Sequence, residues 1–214
     1  MSSRSAASRK YIEIVEHYET CLAKYGDTHL GVDWPKVEDA KTRYRVMLEV
    51  IRLPRPPVVR LLDFGCGASH LYEHILASGV GGIEYMGLDL SPKFVELSAR
   101  KFPHNRYICA DILENPEEIP TCDYIVMNGV FTEKRSLAFD EMLAYFERMI
   151  TAVFAKAQLG LAFNAMSKHV DWERDDLFHL PFDTLARFLT ASLTRNFVIR
   201  NDYGLYEYTT YVYR

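Results

Sequence analysis

The sequence predicts an α/β fold: a mainly parallel seven-stranded sheet with helices on both faces, an antiparallel C-terminal hairpin and a helical lid at the N-terminus. Three observations predict it. Short apolar runs alternate with amphipathic helical stretches from residue 58 to residue 191, the pattern of repeated βα units. The segment Leu53-Pro54-Arg55-Pro56-Pro57 breaks helix and strand alike and sets two earlier helical stretches apart from that alternation. The chain closes on two β-rich runs, 196–201 and 207–213, joined through Asp202-Tyr203-Gly204. No helix fits between them, so they pair antiparallel.

Residues 1–9, rich in Ser and Ala with Arg4 and Arg9, read as a flexible tail. A cap spans 10–52. Its first helix, 10–25, places Tyr11, Ile14, Val15, Tyr18 and Leu22 at helical spacing and ends at Gly26-Asp27. Its second, 35–52, has Asp33 as expected cap and Pro35 in the first turn. The main domain spans 53–214. Its strands are expected at 58–64, 83–89, 106–110, 124–128 and 159–166, then the two of the hairpin. Its helices fall at 69–79, from Ser91-Pro92 onward, at 136–157 and at 181–191.

The 214 residues suit one domain with a modest appendage, and 49% hydrophobic residues supply a sizeable core. A net charge of −4 argues against a dominant nucleic-acid surface, which carries a basic footprint. No run reaches the roughly 18 apolar residues that cross a bilayer. Cys21, Cys66, Cys109 and Cys122 have neither C-x-x-C spacing nor a paired framework. No metal site is expected, and the cytoplasm is the expected location.

The segment carrying most chemistry is Leu61-Leu62-Asp63-Phe64-Gly65-Cys66-Gly67-Ala68-Ser69, an apolar strand running into a glycine turn that opens a helix. Gly65 and Gly67 allow a sharp bend and close approach to a ligand. Alone, such a turn marks only a tight βα connection. Three further polar strand tips follow in order: Asp89 with Leu90, Asp111 with Ile112, and Asn128 with Gly129. All lie at carboxyl ends of successive parallel strands, where open α/β sheets bind ligands.

The ordered set Asp63-Phe64-Gly65-Cys66-Gly67, Asp89, Asp111 and Asn128 resembles the cofactor motifs of the class I, Rossmann-like S-adenosylmethionine-dependent methyltransferases. The likeness covers residues 58–130, and the closing hairpin extends it to the chain end. It implies S-adenosylmethionine as cofactor, with Gly65 and Gly67 against the methionine portion, Asp89 on the ribose, and Asp111 with Ile112 at the adenine. One departure stands out: the family's usual third glycine is Ser69. A nicotinamide dehydrogenase would want a glycine where this helix opens with Ser69-His70-Leu71-Tyr72, and would lack the closing hairpin.

The expected reaction is in-line methyl transfer to oxygen or nitrogen of a small-molecule acceptor, governed by placement of the nucleophile. A non-catalytic cofactor-binding protein and a peptide or macromolecule methyltransferase are the competing readings. Two segments are the expected walls of the acceptor pocket. The first holds Tyr18, His29, Trp34, Arg43 and Tyr44, with Tyr18 or Arg43 placed to meet the methionine carboxylate, Trp34 expected at the substrate and Tyr44 a catalytic candidate. The second runs from Asn164 through His169 to Trp172. There His169 is the candidate base, with His179 behind it, and Asn164 and Trp172 are expected at the substrate. Asn128-Gly129-Val130-Phe131 has the outline of the Asn-Pro-Pro-aromatic motif that binds planar amino groups, but lacks both prolines. Oligomeric state is not legible.

Overall fold

A computed structural model describes residues 10–214; the expected tail, 1–9, lies outside the described residues. The cap consists of α1 (Ile12–Tyr25), a short 3-10 turn (His29–Val32) and α2 (Val37–Leu48). Then follow β1 (Val59–Phe64), α3 (His70–Ser78), β2 (Ile83–Asp89), α4 (Pro92–Lys101), β3 (Arg106–Cys109) and β4 (Cys122–Phe131). The chain ends with α5 (Phe139–Phe154), β5 (Ala157–Met166), α6 (Phe182–Ser192), β6 (Phe197–Arg200) and β7 (Glu207–Tyr213).

The seven strands form one sheet in the order β3-β2-β1-β4-β5-β7-β6. Strands β1 to β5 pair in parallel, while β7 runs antiparallel to both neighbours, inserted between β5 and β6. Because β3 and β4 leave from opposite sides of β1, the chain reverses its winding there, and their carboxyl tips open a crevice. The core has two layers. On one face α5 and α6 bury Met142, Phe146, Ile150, Leu185 and Leu189. On the other, α2 and α3 bury Met47, Leu71 and Ile75 beneath Tyr85 and Tyr124.

Local chemistry fixes the helix starts that matter for the site. Ser91 accepts a hydrogen bond from the Phe94 N–H at 3.4 Å and Pro92 occupies the first turn, so α4 begins directly behind Asp89. Three expectations about elements are corrected. Asp33 does not cap α2; Lys36 precedes that helix, and Asp33 closes the 3-10 turn at φ 57°, its N–H reaching His29 O and Leu30 O. Strand β4 runs on to Phe131 instead of stopping at Asn128, because pairing with β5 resumes at Phe131–Ala165 after an irregularity that begins past Met127. The helix expected at 136–157 is shorter at both ends, since Ala138 is extended and Ala157 pairs with Cys122 in the sheet.

Candidate active site

Two clefts meet at the strand tips. The first is lined by Asp63, Gly65, Cys66, Gly67, Asp89, Leu90, Asn128 and Gly129 from the sheet, and by Tyr11, Tyr18, Trp34 and Tyr44 from the cap. The glycine turn folds back on β2: the N–H groups of Gly65 and Cys66 both donate to Leu88 O, at 2.7 and 2.9 Å. A Cβ at Gly65 would stand 2.7 Å from Val130 Cγ2 on the neighbouring tip, so only glycine lets these tips approach. Asp89 accepts from the N–H of Gly67 and of Ser91, each at 2.9 Å, which locks turn and helix start around one carboxylate. Burial raises the Asp89 carboxyl above its ordinary range, opposed by those N–H groups.

Asp63 lies beneath the turn, 3% exposed, accepting from the Tyr85 hydroxyl at 2.7 Å. Burial pushes it up to about 7, against the pull of the Tyr85 hydrogen bond. The residue at the family's third glycine explains itself: Ser69 adopts φ 58°, the left-handed conformation glycine favours, and its buried hydroxyl donates to Tyr107 Oη at 3.1 Å.

The adenine end differs from expectation. Asp111 takes the Leu113 N–H at 2.9 Å and a short hydrogen bond from the Tyr11 hydroxyl, while Ile112 is 1% exposed in the core. Neither lines the cleft; Tyr11 does, its ring stacked 4.8 Å from that of Tyr145.

The second cleft is lined from the cap by Asp33, Lys36 and Arg43, from beyond β4 by Thr132 and Glu133, and from the segment after β5 by Asp171, Trp172, Arg174 and His179. Tyr206 and Glu207 complete it. Tyr18 and Trp34 line both clefts. Trp34 lies over Gly129, where a Cβ would be 2.7 Å from Cζ2, and Tyr18 donates to Gly129 O at 3.3 Å. Gly129 is therefore the floor of the junction. His29, expected in this wall, serves Trp34, its Nδ1 lying 2.6 Å from Trp34 O.

The structure places several expected residues elsewhere. His169 is exposed, lines neither cleft and lies against the Phe182 ring at 5.2 Å. Asn164 is fully buried, accepting from Gly129 N–H at 2.7 Å and donating to Glu207 at 2.9 Å; it ties β4 to β7 and does not reach a cleft. Arg43 lines the second cleft, not the first: Nε donates to Glu207 at 2.8 Å and its guanidinium lies 4.2 Å from the Trp34 ring. Tyr44 does line the first cleft, but burial first and the Asp63 charge second raise its hydroxyl, so it stays protonated at neutral pH. His179 has both ring nitrogens engaged, with Ser167 O at 2.7 Å and the Arg174 N–H at 3.2 Å. His17, Cys21 and Asp33 bring three ligand-type atoms within 4.8 Å, and His17 and Asp33 already pair at 2.8 Å.

The first cleft fits the implied cofactor. Asn128 lines it with an Oδ1 that is buried without a partner among the described residues. A Cβ at Gly65, Gly67 or Gly129 would meet Val130, Val32 or Trp34, so the glycines let these walls close around the cleft.

Comparison with known proteins agrees with this geometry. Residues 62–158 match the family described as "Methyltransferase domain". Rv1506c of Mycobacterium tuberculosis, itself provisionally named a methyltransferase, is 28% identical over 155 residues, 70% of this chain and 90% of that protein. Among solved structures, magnesium protoporphyrin IX methyltransferase from Synechocystis PCC 6803 with bound SAM superposes with a TM-score of 0.63 at 14% identity, covering both chains fully. A SAM-dependent methyltransferase from Leishmania major gives 0.65 at 16% identity, over 95% of this chain and 82% of that one. Sheet order, glycine turn and these matches give the class of fold: the chain carries a stretch that matches a methyltransferase domain on the Rossmann-like fold that it shares with S-adenosylmethionine-dependent methyltransferases. No helix among the described residues is long and apolar enough to cross a membrane.

Proposed function

We propose that this protein methylates oxygen or nitrogen of a small molecule held in the second cleft. The observation that carries this reading is the junction: Tyr18 and Trp34 border both clefts, with Gly129 as floor between them. S-adenosylmethionine supplies an activated methyl group on a sulfonium when bound. The chain then has to bind, orient and exclude water. Asp89 holds the glycine turn and offers its remaining acceptor capacity to the ribose, while Gly65, Cys66, Gly67 and Leu90 border the cofactor's path. Asn128 offers its unpartnered Oδ1. An adenine amino group reaching Asp111 would share that carboxylate with the Tyr11 hydroxyl and the Leu113 N–H. Burial keeps the Tyr18 hydroxyl protonated, so it positions by hydrogen bonding.

On the acceptor side, Trp34 and the exposed Trp172 provide apolar faces between polar groups of both signs, a mixture suited to a small polar acceptor. Its four cysteines are free, in keeping with the cytosolic location we assign it. The test is transfer of label from [methyl-3H]S-adenosylmethionine into a small-molecule extract of cells that express the protein. Labelled low-mass product supports the reading; label in protein alone contradicts it.

A further inference from the structure

One carboxylate of the acceptor cleft is not used by the cofactor reading. Glu133 follows β4 by two residues, is 5% exposed, and lines the second cleft. Its backbone is pinned by a bridge to Leu177. The adjacent Thr132 donates to Gly129 O at 3.0 Å and lies 3.4 Å from the Tyr18 hydroxyl, so Glu133 stands beside the junction where the clefts meet.

A buried carboxylate ordinarily engages its oxygens with donors. Glu133 receives one hydrogen bond, from Arg135 Nη1 to Oε2 at 3.2 Å, and that guanidinium also approaches Asp176 at 3.7 Å. No described residue donates to Oε1, and Oε1 is not among the sealed atoms without a partner. That oxygen is left for the cleft. At the junction the Tyr18 and Thr132 hydroxyls both donate to Gly129 O, so their hydrogens are committed and their oxygens keep lone pairs, which favours a group that brings a hydrogen of its own.

We propose that Glu133 is the proton acceptor of methyl transfer, and that the acceptor attacks through an atom bearing hydrogen, O–H or N–H. The inference rests on the methyltransferase reading above. With a hydroxyl acceptor, the bond from oxygen to the methyl carbon forms as the carbon–sulfur bond breaks. Sulfur keeps that electron pair and becomes a neutral thioether, and the hydroxyl proton passes to Glu133. An amine gives its proton to Glu133 from the ammonium form and then attacks. Glu133 afterwards releases the proton to solvent through the cleft mouth.

Burial raises the Glu133 carboxyl, opposed by Arg135 and by His17, while Asp176 and Asp33 add to the rise. Tyr18 and Cys21 on α1 and Arg174 also feel its charge. A base must be ionised to act, so the rate climbs with pH along an acid limb placed above the ordinary carboxylate range.

The test measures label transfer into the same extract by the unaltered protein, Glu133→Gln, and Glu133→Ala with and without added formate, alongside S-adenosylhomocysteine titration of each. We expect Glu133→Gln to lower kcat by about 10²- to 10⁴-fold and to lose the acid limb, with cofactor affinity unchanged. Formate should restore part of the rate in Glu133→Ala. Glu133→Gln within about threefold of the unaltered rate overturns the inference alone. So does a loss that formate leaves unrelieved while cofactor affinity falls in parallel, the mark of a structural role. If the unaltered protein binds the cofactor but labels nothing, the proposed function falls first and Glu133's role with it.

Discussion

The cofactor cleft and the acceptor cleft share a wall but are built in opposite ways. On its sheet side the first is assembled from strand tips, each specified by a few adjacent residues: a glycine turn after β1, Asp89 at the end of β2, Asn128-Gly129 within β4. The second draws Asp33, Glu133, Trp172 and Tyr206 from four distant stretches that only the closed sheet brings together. On the proposed function, the sheet side of cofactor recognition is a property of local backbone geometry, whereas acceptor recognition is a property of tertiary packing. A variant should therefore act on one cleft or the other unless it touches the junction.

The largest effect is expected at the junction itself. Gly129→Ala forces a side chain at φ 81° and drives its Cβ into the Trp34 ring, so both cofactor affinity and turnover should fall, each by about tenfold or more. Gly204→Ala is the matched control: its φ is 76°, yet nothing lies within 4 Å of a Cβ there. It should cost about 1 kcal/mol of stability and leave cofactor binding intact. Equal loss of binding in both variants would show that strain, not contact with Trp34, governs the junction.

Next come the two tryptophans. Trp34→Ala should weaken S-adenosylhomocysteine binding and slow turnover together, because its ring serves both clefts. Trp172→Ala, 71% exposed and confined to the acceptor side, should raise the acceptor KM by several-fold with cofactor affinity unchanged. Weaker cofactor binding in Trp172→Ala would break the separation of the clefts.

A smaller effect is expected beneath the glycine turn. The folded-state carboxyl of Asp63 is pushed up to about 7 from an ordinary 3.8. Folded protein thus holds a proton that unfolded chain has lost, and stability falls as pH rises across that window. Asp63→Asn cannot titrate. Its Tm should decline less between pH 5 and pH 8 than that of the unaltered protein, by about 3 °C or more in differential scanning calorimetry. Smallest of all, His169→Ala should leave turnover within about twofold, since the ring packs on Phe182 outside both clefts.

The contrast between the clefts also explains what the sequence revealed. Alternating βα units and a closing pair of strands without a helix between them dictate the sheet, and the glycine turn with Asp89 marks its ligand-binding edge. Side-chain direction was not legible. Asn164 sits at a strand tip, yet its amide turns inward to join Gly129 to Glu207, a partner 43 positions away. Arg43 has the chemistry to meet a carboxylate and meets that of Glu207. Nor does any motif announce Glu133, which becomes a cleft residue because β4 continues past an irregularity at Asn128 that no local pattern marks. Tyr11 occupies an apolar helical position by spacing, and only the packing of α1 on Tyr145 brings its hydroxyl to Asp111.

On the proposed function, the strand-tip cleft binds S-adenosylmethionine through a glycine turn held by Asp89. Isothermal titration with S-adenosylmethionine and S-adenosylhomocysteine tests it most directly, with NADH as control and Asp89→Ala in parallel. Both sulfur ligands should bind saturably, and NADH should not bind. Asp89→Ala should weaken binding by about 100-fold, because charge-assisted hydrogen bonds to the ribose and the hold on Gly67 are lost together. No binding of either sulfur ligand, or equal binding with Asp89 removed, would contradict it.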